Sequence, residues 1–119
     1  IVVSGRPFYD FDAKYLYAPG IHLVCPTDLS EAELAEMQAL AVRAFTAIGA
    51  AGLARVDFFL TETGFVINEV NTIPGFTTIS MYAQMWAATG VDYPALLDRL
   101  VTLALERHAE KQQLRTSAT

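Results

Sequence analysis

Apolar residues alternate along residues 53–60 and again along 65–70, with charges set into both runs. Each run is rich in aromatic and β-branched side chains, and Thr61-Glu62-Thr63-Gly64 separates them, so the pattern predicts two strands joined by a tight turn. Side chains two apart on a strand share a face. Arg55, Asp57 and Phe59 are therefore expected to point one way, and Val56, Phe58 and Leu60 the other. On the second strand Ile67, Glu69 and Asn71 are expected to share a face. Register decides whether the polar faces coincide. A four-residue loop, Thr61 to Gly64, pairs Leu60 with Phe65 and sets Asp57 opposite Asn68. A loop of Glu62-Thr63-Gly64, with Gly64 in the left-handed conformation of a bulge, pairs Thr61 with Phe65. It sets Asp57 opposite Glu69 and Arg55 opposite Asn71. We expect the second register, because it gathers these four residues into one patch and leaves Val56, Phe58, Leu60, Val66 and Val70 for a core.

Elsewhere the apolar positions recur at helical spacing. Leu34, Met37, Leu40, Ala41, Ala44, Phe45 and Ile48 predict a long helix with a core-facing stripe. Ser30 is its expected N-cap, Glu33 completes a capping box, and Gly49 ends it. Glu31, Glu33, Glu36 and Arg43 fall on its solvated face. A short helix from Met81 to Ala88 follows Ser80 and is closed by Gly90. Asp92-Tyr93-Pro94 opens a last helix carried by Leu96, Leu97, Leu100, Val101, Leu103, Ala104 and Leu105. His108 is expected near its C-terminus, where an imidazolium is favourable and no catalytic role is needed. Beyond Ala109 the chain turns polar and is expected to fray, which sets one folded unit over residues 1–109 and a tail over 110–119.

Shorter apolar runs predict strands over residues 1–4 and 21–25, the second stopped by Pro26. The connection between them, residues 6–20, carries five aromatics among Asp10, Asp12 and Lys14. A long connection of this kind is either a functional lid or a disordered segment, and the aromatics argue against disorder. A loop pinned to the core by its rings and a lid both remain open. The fold class is α+β: an antiparallel sheet with helices packed on one side.

Composition narrows this picture. A chain of 119 residues suits one domain at most, and 53% hydrophobic residues suffice for a packed core. The net charge of −5, from 8 basic and 13 acidic side chains, argues against nucleic acid or an anionic membrane as partner. No apolar run is long enough to span a membrane. Cys25 is the one cysteine, so no intrachain disulfide forms, and it reads as a structural thiol. The chain begins at Ile1, inside an apparent strand, and is expected to be the C-terminal part of a longer protein.

The hairpin patch carries the chemistry. Asp57, Glu69 and the Asn71 amide oxygen, with no nearby His or Cys, form a hard-oxygen set suited to Mg²⁺. Arg55 beside them supplies a permanent positive charge for a phosphate or a developing oxyanion. Spacing alone equally allows an exposed hairpin face with a surface ion pair. After the hairpin, Pro74-Gly75 is a turn signal, and Gly75 permits close backbone approach to a ligand, so its N–H can serve an oxyanion hole. Ser80 can cap the following helix, whose free N–H groups also favour a carboxylate.

Arg55-Val56-Asp57 and the run Asn68-Glu69-Val70-Asn71-Thr72-Ile73-Pro74-Gly75-Phe76-Thr77 resemble the signature of the D-alanine–D-alanine ligase family of ATP-grasp enzymes. Phe8-Tyr9-Asp10-Phe11-Asp12-Ala13-Lys14-Tyr15 resembles that family's mobile loop, and Ser80-Met81-Tyr82 and Met85-Trp86 also fit. The resemblance runs from about Arg6 to Arg107. It implies the C-terminal lobe of an ATP-grasp fold, without the N-terminal substrate domain or the adenine-covering lobe. It implies ATP-dependent joining of two D-alanines through an acyl phosphate, for peptidoglycan precursors, in a cytoplasmic enzyme that forms a homodimer when complete. Asp57, Glu69 and Asn71 are then implied to hold two Mg²⁺ ions, or Mn²⁺, with Glu69 bridging. Arg55 and the Gly75 N–H stabilise the oxyanion, and Ser80 orients the incoming D-alanine. Lys14 steadies the γ-phosphate, Tyr15 locks the closed lid, and Phe59 and Asn68 lie by the nucleotide; for Phe59, core packing stays open as well. Phe11 stands where the family pattern has a tyrosine, which removes a hydroxyl from the lid. Another ATP-grasp carboxylate–amine ligase, a D-alanine–D-lactate ligase and a non-catalytic association module are the alternatives.

Overall fold

The computed structural model describes residues 2–3, 21–22, 24–77 and 80–114. In chain order the elements are β1 (Val2–Val3), β2 (Ile21–His22), α1 (Glu31–Ala47), β3 (Arg55–Thr61), β4 (Gly64–Asn71), α2 (Met81–Ala88) and α3 (Tyr93–Gln113). β1 and β2 pair antiparallel, Val2 with His22 and Val3 with Ile21. β3 and β4 form a second antiparallel pair.

The β3–β4 hairpin reaches the expected pairing by an unexpected route. Near the turn Thr61 pairs with Gly64 and Leu60 with Phe65, so the loop is only Glu62-Thr63 and the preferred Thr61–Phe65 register is wrong there. The Thr61 hydroxyl donates to the Gly64 carbonyl at 2.9 Å and accepts from the Thr63 N–H at 3.2 Å, which ties the two-residue turn closed. Gly64 does take a positive φ, 116°. Farther down, the register shifts between Phe58 and Asp57: Phe58 pairs with Ile67 but Asp57 with Glu69, leaving Asn68 as an extra residue. A bulge of this kind puts two residues of one strand against one of the other. From there Val56 pairs with Val70 and Arg55 with Asn71, as expected. The bulge also breaks alternation on β4, so Ile67 does not share a face with Glu69. Ile67 lies opposite Phe58 and beside Leu40, Arg43 and Ala44 of α1. Val66, expected in the core, sits opposite Phe59 on the other face and is 49% exposed.

α1 starts as its sequence dictates. The Glu33 carboxylate accepts from the Ser30 N–H at 2.9 Å and from its hydroxyl at 2.6 Å, and the Ser30 oxygen accepts from the Glu33 N–H at 3.3 Å. These bonds satisfy orphan donors of the first turn and hold the Glu33 carboxyl below its usual range. Gly49, at φ 65°, follows the Ile48 cap. The α1 stripe is half-buried and Ile48 is exposed; among the described elements the helix rests mainly on β3 and β4.

α2 and α3 pack on one another, while α1 rests on the hairpin; helices beside an antiparallel pair are the α+β class expected. Tyr82 and Ala83 of α2 and Leu96 of α3 are buried in this second cluster, with Pro74 nearby in sequence also buried. Asp92 caps α3 by accepting from the Ala95 N–H at 2.9 Å. α3 continues to Gln113, past the point where the tail was expected to fray, since Ala109, Glu110, Lys111 and the two glutamines are good helix formers. His108 therefore lies inside the helix and faces Gln112 across one turn at 3.4 Å. Cys25 is half-buried, with its thiol 3.8 Å from the Gln84 carbonyl.

Candidate active site

The bulge at Asn68 aligns the polar faces of β3 and β4. Arg55 and Asp57 lie on one face of β3, and Asn71 and Glu69 lie directly across from them. Arg55 grips Asp57 in a fork: Nε donates to Oδ1 at 2.7 Å and Nη2 to Oδ2 at 2.8 Å. The same Nη2 lies 3.5 Å from Oε1 of Glu69. Both carboxylates thus converge on one cation. Their side chains are 21% (Arg55), 32% (Asp57) and 43% (Glu69) exposed, so the cluster is open to solvent.

Asn71 ends β4 and turns its amide oxygen onto the Ile73 N–H at 3.1 Å. A carbonyl oxygen has two acceptor sites, so one remains for a second partner. Among the described residues no three His, Cys, Asp or Glu side chains converge, so the oxygen set is two carboxylates and an amide. Such a set fits Mg²⁺, which takes few protein carboxylates and completes its shell with water and phosphate oxygens. The Arg55 guanidinium stands between Asp57 and Glu69, so both carboxylates lie within reach of one positive charge.

Phe59 follows on the same face and is 59% exposed, so it does not pack in a core of the described residues. Asn68 is exposed at the bulge. The Pro74-Gly75-Phe76-Thr77 segment leaves the hairpin and is pinned by Phe76. Its ring stacks at a tilt on Tyr82, at 5.7 Å, and on Tyr93, at 5.4 Å, and its carbonyl accepts from the Tyr93 hydroxyl at 3.4 Å. This anchor was not read from the sequence, because its partners Tyr82 and Tyr93 lie on two different helices. A Cβ on Gly75 would meet only Ser80 Cβ, at 3.9 Å, so packing within the chain does not demand glycine there. Ser80 caps α2: its oxygen accepts from the Thr77 N–H at 3.3 Å and lies 3.5 Å from the Ala83 N–H, while its hydroxyl donates to the Thr77 carbonyl at 2.8 Å. Lys14 and Tyr15, and the lid expected around them, lie outside the described residues.

A carboxylate-bearing antiparallel hairpin, a glycine turn and a serine-capped helix, in this order, form the C-terminal part of an ATP-grasp ligase. A solved D-alanine–D-alanine ligase from Coxiella burnetii superposes with a TM-score of 0.76 at 47% identity, over 81% of this chain and 28% of that one. The ligase from Bacillus anthracis complexed with ATP gives a TM-score of 0.66 at 26% identity, over 71% of this chain and 30% of that one. A curated relative, the D-alanine–D-alanine ligase of Kineococcus radiotolerans, is 56% identical over 110 residues, 89% of this chain and 29% of its own length. The family model described as the D-ala D-ala ligase C-terminus matches residues 1–102. The chain belongs to the D-alanine–D-alanine ligase family and corresponds to its C-terminal domain. It spans less than a third of the length of these relatives.

Proposed function

We propose that this chain is the C-terminal catalytic part of an ATP-dependent D-alanine–D-alanine ligase acting in peptidoglycan precursor synthesis. The observation that carries the reading is the pairing of Asp57 with Glu69 and Arg55 with Asn71 on one face of the hairpin, within a chain of this family. In the reaction ATP phosphorylates the carboxylate of one D-alanine. The amine of a second D-alanine attacks the acyl phosphate, a tetrahedral oxyanion forms, and phosphate leaves.

Asp57, Glu69 and Asn71 are the residues to hold Mg²⁺ or Mn²⁺ ions. When bound, such ions offset the charge of the β- and γ-phosphates. Arg55 offers a fork of donors to an oxygen that gains negative charge. The Gly75 N–H is the second donor to the oxyanion, and the exposed glycine lets substrate approach the backbone. Ser80, at the N-terminus of α2, orients the carboxylate of the incoming D-alanine. Phe59 offers an apolar surface to the nucleotide, and Asn68 an amide beside it. Lys14 and Tyr15 complete the site from the lid, steadying the γ-phosphate and excluding water. The complete enzyme is a cytoplasmic homodimer whose other lobes cover the adenine and bind the first D-alanine.

The test is D-alanine-dependent phosphate release from ATP by the complete enzyme and its Glu69→Gln variant. We expect the variant to lose at least about three orders of magnitude in turnover, as for removal of a preorganised electrostatic group, with its fold intact by circular dichroism. Near-normal turnover would refute the metal assignment. Release that responds to another acceptor and not to D-alanine would move the protein to another carboxylate–amine ligase of the same fold.

A further inference from the structure

Arg55 already occupies the carboxylates that the proposed metal needs. It bonds both oxygens of Asp57, at 2.7 and 2.8 Å, and reaches Glu69 at 3.5 Å through the same nitrogen that holds Asp57. Arg55 and Glu69 also make further interactions. Among the described residues, the two carboxylates and one guanidinium sum to a net charge of −1. A divalent ion on the same oxygens makes it +1, with two positive centres side by side. Like charges at such range repel, and a polyanionic phosphate relieves the repulsion.

We propose that Arg55 is the resident counter-cation of the Asp57–Glu69 pair and competes with the divalent ion for it. Metal alone binds weakly because it must displace the guanidinium. Metal together with nucleotide binds well, because the displaced guanidinium gains a phosphate or oxyanion partner. Arg55 thereby couples metal loading to nucleotide loading and is withheld from the reacting atoms until both are present. Coupling of this sort is a free energy shared by two ligands, and it acts equally on each. The proposal rests on the metal reading above and adds the competition to it.

The experiment is Mn²⁺ titration of the complete enzyme, read by electron paramagnetic resonance of free Mn²⁺, with and without a non-hydrolysable ATP analogue. A part-buried ion pair that still meets solvent is worth little, so Arg55→Gln is expected to tighten Mn²⁺ binding without nucleotide by only about three- to tenfold. The same variant is expected to lose most of the further tightening that the analogue causes in the parent enzyme. If Arg55→Gln leaves Mn²⁺ affinity unchanged or weakens it, the competition is wrong while the metal site stands. If the parent enzyme binds no Mn²⁺ that Glu69→Gln abolishes, the metal reading and the competition fall together. A measurement on the unaltered enzyme covers a variant that misfolds: the Arg55 Nε–H resonance must move on adding Mg²⁺, and a resonance that stays fixed through saturation overturns the proposal.

Discussion

Glu33 shows how a single side chain ties local chemistry to solution conditions. Its carboxyl is held below the usual value of 4.5 by the Ser30 hydroxyl and then by the Ser30 N–H. A carboxyl whose folded value is lowered stabilises the fold fully above its unfolded value, and that contribution is lost as pH falls through the lowered value. Glu33→Gln is therefore expected to flatten part of the acid loss of helicity below pH 4.5, read by circular dichroism. Ser30→Ala should cost about 1 kcal/mol of helix stability near neutral pH, the usual cost of losing an N-cap. Equal acid sensitivity in Glu33→Gln and the unaltered chain would count against the capping box as a pH-dependent element. At this scale Arg55, Asp57, Glu69 and Asn71 were legible as one polar patch, while their chemistry rests on the family resemblance, since antiparallel hairpins often carry a polar face. Lys14 and Tyr15 rest on the resemblance, and the Phe76 anchor went unread because its partners lie on two different helices.

At the scale of the element, the hairpin carries two registers joined by one residue. The turn half pairs Leu60 with Phe65, and the site half pairs Asp57 with Glu69. Continued from the turn without a bulge, the first register would put Asp57 opposite Asn68 and send Glu69 to the other face. The extra residue makes the shared polar face possible. Alternation in sequence could not disclose it, because a bulge changes the count of residues without changing their type. Asn68 has no cross-strand partner, so deleting it should leave a regular ladder with Phe58 on Ile67 and Asp57 on Glu69. Cross-strand Cα-proton contacts in an NMR spectrum of the deletion variant should keep both Leu60–Phe65 and Asp57–Glu69. A slip of Asp57 onto Val70 would mean that the bulge holds the register and does not merely accommodate it. Activity is expected to fall even if the pairing survives, because the bulge adds twist and re-aims the Glu69 carboxylate.

Taken over the chain, the fold is extended. Its radius of gyration is 17.5 Å with extents of 65 × 33 × 29 Å, whereas a compact chain of this length has a radius of about 13–14 Å. Val42, Ile48, Ile73, Val101 and Leu105 are exposed, and the buried apolar residues among those described are Pro74, Tyr82, Ala83 and Leu96. A domain with so little buried apolar surface has little to offset its conformational entropy. The isolated 119-residue chain is therefore expected to self-associate with rising concentration and to release no phosphate from ATP. Light scattering and a phosphate assay check both; a stable monomer at all concentrations would show that the exposed residues need no cover.

Local features followed from the sequence alone. Strand and helix identities, the Ser30, Ser80 and Asp92 caps, and the glycines that end α1 and α2 depend on residues within a few positions of one another. The pairing of Asp57 with Glu69 and Arg55 with Asn71 was expected from the sequence, but by a three-residue loop, whereas the bulge at Asn68 produces it. Tertiary structure alone decided the bulge at Asn68, the separation of α1 on the hairpin from the α2–α3 pair, and the clasp of Arg55 on Asp57 and Glu69. Each of these depends on how side chains and strands are set in space, which residue order alone does not fix. A side chain that is a ligand, a counter-ion or a spacer looks the same in sequence, and only its neighbours in space determine which it is.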